Sequence, residues 1–169
     1  GNTVFIGGLP PVTVQNGDAT TMKIDYTPLD AFVAPLVGAD VFVMLSGIPA
    51  LGPKTEDDAY VPLLKVYLDQ VLAHLAGKGF DDKHVALYPY DEPGGNGWDV
   101  VKQFVLFGKQ VLKARPGMNI YMDGGGDLPM YEAMAEVTSH WSPSFYMLPD
   151  DSPEMQVVRK SGKTLWSYD

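Results

Sequence analysis

The chain has 169 residues, with 12 Lys+Arg against 21 Asp+Glu, a formal charge of −9 and no Cys. That acidity argues against a nucleic-acid partner, which needs a basic patch, and against docking on an anionic membrane surface. The lack of Cys excludes a disulfide scaffold, a thiolate nucleophile and a cysteine-ligated metal. With 46% hydrophobic and 20% charged residues, the composition is globular and the length fits one domain, 1–169.

No run of about 18 apolar residues occurs, so no transmembrane helix is expected. Gly1–Gly8 lacks a charged start followed by a long apolar stretch, so no signal peptide is read there. The first strand-like run is Val4–Ile6. Residues 9–25, with Pro10, Pro11, Gly17 and some Thr/Val alternation, read as an inserted loop or hairpin. A helix then starts at Thr27-Pro28-Leu29-Asp30, where Thr27 suits the N-cap and Pro28 the first helical position.

Strand Asp40–Leu45 follows, and then a helix from about Val61 to Ala76. Its residues Leu64, Tyr67, Leu68, Val71, Leu72 and Leu75 recur at helical spacing, with Gly77 as the stop. Strand His84–Tyr90 leads to a helix at Trp98–Ala114, with Asn96 as its expected N-cap and Pro116 beyond its end. Strand Asn119–Met122, helix Leu128–Val137, strand Ser144–Leu148, helix Pro153–Lys160 and strand Thr164–Tyr168 complete the order.

Strands alternating with helices over short connections imply βαβ units and a parallel sheet, and the apolar runs suit strands buried on both faces. An open doubly wound sheet and a (β/α)₈ TIM-type barrel both fit. About six strands, where a full barrel needs about 250 residues, and a last strand that meets the chain end without a closing helix favour an incomplete barrel of about six parallel strands. The remaining elements, or further domains, would then lie on a longer chain.

The chemistry concentrates in Tyr88-Pro89-Tyr90-Asp91-Glu92-Pro93-Gly94-Gly95. Adjacent carboxylates at the C-terminal end of a parallel strand lie where α/β barrels place active sites. Aromatic and proline neighbours would partly desolvate them, raising a carboxyl pKa as a general acid requires. The plain alternative is a pair of solvated loop acids. Neighbouring side chains on a regular strand also point to opposite faces, so both can enter one site only if the pleat breaks. Asp123, in Asp123-Gly124-Gly125-Gly126-Asp127, is either a sugar-hydroxyl acceptor or second carboxylate, or a turn residue. No Walker spacing accompanies those glycines. Trp98, Trp141 and Trp166 are either sugar platforms or core residues. His74, His84 and His140 are scattered and form no metal-ligand spacing, so neither metal nor cofactor is expected.

Strand His84–Tyr90 running into Tyr-Asp-Glu-Pro resembles the fourth strand of glycoside hydrolase family 123 and related uncharacterised glycoside-hydrolase-like barrel proteins. Arg115-Pro116-Gly117 after a helix, Trp141-Ser142-Pro143, and Gly162-Lys163 before Leu165-Trp166-Ser167-Tyr168 resemble later elements, and Asp25 and Asp30 flank an earlier one. The likeness spans about Asp25 to Asp169, and only Asp-Glu-Pro is fairly specific. It is also similar to the Asn-Glu-Pro of the large retaining glycosidase clan, from which Asp91 departs.

The resemblance implies a glycosidase acting on an N-acetylhexosaminide by substrate assistance. The 2-acetamido oxygen would attack the anomeric carbon, with Asp91 orienting the acetamide N–H and Glu92 as general acid/base. Tyr90, Asp123, Trp141, Trp166 and Tyr168 are the expected substrate-binding residues, with Tyr146 and Tyr121 as lesser choices for the tyrosine that supports the acetamide. A carbohydrate substrate implies a secreted, periplasmic or cell-surface location. The alternatives are a retaining glycosidase with Asp123 or Asp169 as nucleophile, and a non-catalytic carbohydrate-binding domain.

Overall fold

A computed structural model describes residues 3–144 and 149–166. The elements run β1 (Thr3–Gly8), β2 (Val12–Thr13), β3 (Lys23–Ile24), α1 (Thr27–Val33), β4 (Val41–Ser46), α2 (Tyr60–Gly77), β5 (Val85–Tyr88), α3 (Trp98–Ala114), β6 (Tyr121–Gly124), α4 (Leu128–Met134), β7 (His140–Pro143), α5 (Pro153–Lys160) and β8 (Thr164–Leu165).

The expected barrel of about six strands is not what forms. Strands β1-β4-β5 make one parallel three-stranded sheet, β6-β7-β8 make a second, and β2-β3 make a separate antiparallel pair within residues 9–25. Among the described residues, a single parallel bridge, Leu87 to Ile120, spans the gap between the two parallel sheets. Two features at the seam account for the break. The Asn119 side-chain amide donates to the Val85 carbonyl at 3.0 Å, taking an acceptor a continuous ladder would use. Pro89, just past β5, has no N–H to extend the pairing. Mixed α/β architecture is therefore correct, and a closed or near-closed barrel is not.

Each parallel sheet has two faces of different character, as the period of two requires. Val43, Leu45, Val85, Leu87, Ile120, Met122 and Trp141 point to the helices and join the main core. Phe42, Met44, Ala86, Tyr88 and Tyr121 point the other way and form a second, aromatic-rich cluster. Helix α2 supplies the apolar stripe read from its sequence, with Leu64, Tyr67, Leu68, Val71, Leu72 and Leu75 all buried. Its stop comes two residues later than Gly77. Gly79, at φ +97, donates to the Ala76 carbonyl and Phe80 to that of Leu75, a left-handed C-terminal cap that buries Phe80 beside Leu75.

The other boundaries shift modestly. The strand expected at Ser144–Leu148 lies at His140–Pro143, and Phe145–Leu148 fall outside the described residues. Thr27 opens α1 rather than capping it, and the Asp25 carboxylate accepts its N–H at 3.0 Å. Helix α4 takes Asp127 as N-cap, accepting from Met130 N–H at 3.0 Å, which gives this acid a structural role. Among the described residues, no helix is long and apolar enough to cross a membrane.

Candidate functional site

The site is built at the C-terminal ends of β5 and β6. Tyr88 closes β5 on the aromatic face, and its Oη lies 2.5 Å from Asp91 Oδ1 and 2.8 Å from Asp123 Oδ2. Asp123 shares a face with Tyr121, two residues before it on β6, and is only 4% exposed. Its Oδ1 accepts the Glu92 N–H at 3.0 Å. One phenol therefore joins the loop after β5 to the strand beside it.

Glu92 adopts φ +41, a left-handed conformation that costs a residue with a Cβ about 1–2 kcal/mol. The surroundings enforce it. Its N–H is held by Asp123, and its carbonyl accepts from the Asn96 backbone N–H and side-chain Nδ2, both at 3.1 Å. Asn96 Nδ2 also donates to the Asp91 carbonyl at 2.9 Å. Asn96 thus clamps the acid loop, and the expected cap position of α3 belongs to Gly97, whose φ is +94. The turn at Glu92 breaks the strand pleat. Asp91 can then touch Tyr88 while the Glu92 side chain lies over Gly124, where an added Cβ would sit 2.8 Å from Glu92 Cγ.

The glycine-rich loop after β6 exists for this close approach. A Cβ at Gly94 would fall 1.9 Å from the Gly125 carbonyl oxygen, so the two loops touch backbone to backbone. The Glu92 carboxylate has no hydrogen-bond partner among the described residues, whereas those of Asp91 and Asp123 are engaged. Burial pushes the Asp123 carboxyl above the ordinary carboxylate range. The Tyr88 hydroxyl and Glu92 N–H oppose that rise, and the charges of Asp91 and Glu92 add to it. Burial, followed by the bond to Asp91, raises the Tyr88 phenol, which stays protonated. Among the described residues, no group of three His, Asp or Glu is arranged to hold a metal.

An aromatic cluster adjoins the acids. Tyr121 meets Tyr88 edge-on at 5.3 Å and lies 5.9 Å from Trp166, which packs edge-on against Phe42 at 4.8 Å and His140 at 5.0 Å. Burial lowers the His140 pKa, favouring the neutral ring. Asp91, Glu92 and Asp123 thus converge, with Trp166 on the same face of the sheets.

Two expected binding residues are elsewhere. Trp141 is 0% exposed on the helix side, stacked on Tyr131 at 5.7 Å with its Nε1 donating to Ser161 Oγ at 3.2 Å. It is a core residue and not a sugar platform. Tyr90 is half-buried against the main core, beside Tyr60 and away from the acid cluster. Trp98 is 39% exposed in a groove of about 380 Å³ between α3 and α4. Tyr168, Tyr146 and Asp169 lie outside the described residues.

Sequence reasoning missed Tyr88 and Asn96. Tyr88 had a usable signal, because it shares strand parity with Ala86 and faces Tyr121 and Asp123, themselves two apart. Asn96 had none, since an Asn just before a helix reads first as a cap.

The chain matches no protein-family model and has no significant match among curated proteins.

Proposed function

We propose that this protein is a glycoside hydrolase acting on an N-acetylhexosaminide by substrate-assisted catalysis, with Glu92 as general acid/base and Asp91 as the residue that orients the substrate acetamide. The carrying observation is the left-handed turn at Glu92. It turns a carboxylate that has no partner among the described residues out of the strand, beside a second carboxylate that Tyr88 grips by one oxygen.

Those roles need different properties. A general acid must reach the leaving oxygen and exchange its proton, which suits an acid that no described residue holds. An orienting carboxylate must be held still, with one oxygen left to accept an amide N–H, and the Tyr88–Asp91 bond leaves Oδ2 for that. Asp123 is poorly suited to be a nucleophile, because it is buried and both its oxygens are engaged. Trp166, partly exposed at the edge of the aromatic cluster, offers a ring for the apolar face of a pyranose. The choice of sugar class rests on the resemblance around Asp91-Glu92-Pro93.

The test is hydrolysis of an aryl N-acetylhexosaminide. Replacing Glu92→Gln should slow turnover about 10²–10⁴-fold, the usual contribution of a general acid, with the fold intact. A thiazoline mimic of the cyclised acetamide should inhibit the wild type. An unchanged Glu92→Gln rate removes Glu92 from the mechanism, and indifference to the thiazoline removes substrate assistance. Glycan binding with no release of reducing sugar points instead to a non-catalytic carbohydrate-binding protein.

A further inference from the structure

Tyr88 has one phenolic proton and two carboxyl oxygens within hydrogen-bond distance. It can donate to only one of them, and the other must then donate to the phenol oxygen. Were both acids ionised, one contact would set the lone pairs of an anion against those of the phenol with no proton between. In a partly buried site such a contact is strongly unfavourable.

We infer that Asp123, Tyr88 and Asp91 form a directional proton chain. Asp123 Oδ2–H donates to Tyr88 Oη, the Tyr88 O–H donates to Asp91 Oδ1, and Asp123 carries its proton at a pH where an ordinary aspartate has lost it. Placement decides which acid is neutral. Asp123 is 4% exposed, whereas Asp91 is exposed to solvent that can support its charge. The titratable groups facing Asp123 are Tyr88 from β5 and Asp91 and Glu92 from the following loop, with Tyr121 on its own strand. Its register partner on β7 is the neutral Ser142. No Lys, Arg or His among the described residues pairs with it. Burial raises the Asp123 pKa, in keeping with this order.

Asp123 is a positioning residue. By supplying its own proton it turns the Tyr88 hydroxyl wholly toward Asp91 and holds that carboxyl in place. The inference assumes nothing about the substrate, so its failure and a failed hydrolase assay are separate results.

Infrared difference spectroscopy of the intact protein tests it without a ligand. At about pH 5 an ordinary aspartate is more than nine-tenths ionised. The wild-type-minus-Asp123→Asn difference spectrum should show one C=O band of a neutral carboxylic acid, the residual signal of the other carboxyls cancelling. The Asn keeps both interactions, since Nδ2–H donates to Tyr88 Oη and Oδ1 accepts the Glu92 N–H, so this variant should fold. In denaturant titrations, wild type should lose stability relative to Asp123→Asn as pH rises from about 4, because a raised native pKa makes ionisation unfavourable in the fold. Absence of that band from the difference spectrum, or a wild type that gains stability relative to the variant over that range, overturns the inference.

Discussion

The contact between the two loops gives the sharpest structural prediction. In Gly94→Ala the new Cβ would start 1.9 Å from the Gly125 carbonyl oxygen. A relaxed carbon–oxygen contact is about 3.3 Å, so the loops must separate by about 1.4 Å. No side chain can rotate away, because the obstacle is backbone. Overpacking typically costs about 1–3 kcal/mol, and a rigid obstacle puts this case near the top, about 3 kcal/mol. For a chain of this length, about 2–4 °C of Tm is lost per kcal/mol, so circular-dichroism melting should show a fall of about 6–12 °C. The same displacement moves Asp91 and Glu92 away from Tyr88 and Asp123. A shift of about 1 Å in catalytic geometry costs about 10²-fold in rate. Gly95→Ala is the control. Its nearest neighbours would be at 3.5–3.7 Å, ordinary contacts, and its Tm should stay within about 2 °C. Equal melting temperatures for the two variants would refute the backbone-contact account.

Two further outcomes follow from the same geometry and charge. Glu92→Gly should abolish turnover yet hold or raise Tm by up to about 2–8 °C, because glycine accepts φ +41 without the left-handed penalty of about 1–2 kcal/mol; a marked drop in Tm would mean that the Glu92 side chain serves stability. The His74 side chain, then Lys78, hold the Asp30 carboxyl below its ordinary range, with His74 Nε2 2.6 Å from Asp30 Oδ1. A lowered native pKa contributes stability above the unfolded value, about 3.9, and loses it as pH falls through the native value. The urea midpoints of wild type and His74→Ala should therefore differ more at neutral pH than in acid, where only the loss of the Tyr26–His74 ring stack remains, and a gap that stays constant would dismiss the ion pair.

How much of this was legible beforehand varied by element. The stripe from Leu64 to Leu75 and the span of Trp98–Ala114 could be read directly, because helical periodicity is a local property, although the cap read at Asn96 belongs to Gly97. The acid pair was also visible as a chemical cluster at a strand end. The break between the two parallel sheets was not. It depends on Asn119 reaching the Val85 carbonyl, 34 residues away, and no spacing encodes that bond. Trp141 shows the same limit. Its type fits a sugar platform as well as a core, and only strand parity against Tyr131 and Ser161 decides for the core.

By itself, the amino-acid order determined alternating strands and helices, the buried stripes and an acidic pair followed by proline, since each depends on residues near in the chain. Tertiary structure decided which carboxyls meet. Asp123 joins Asp91 through a phenol 35 residues from it, and Glu92 turns left-handed because Asp123 and Asn96 hold its backbone. Proton sharing requires atoms within about 3 Å, and such proximity between distant residues arises only when the chain has folded.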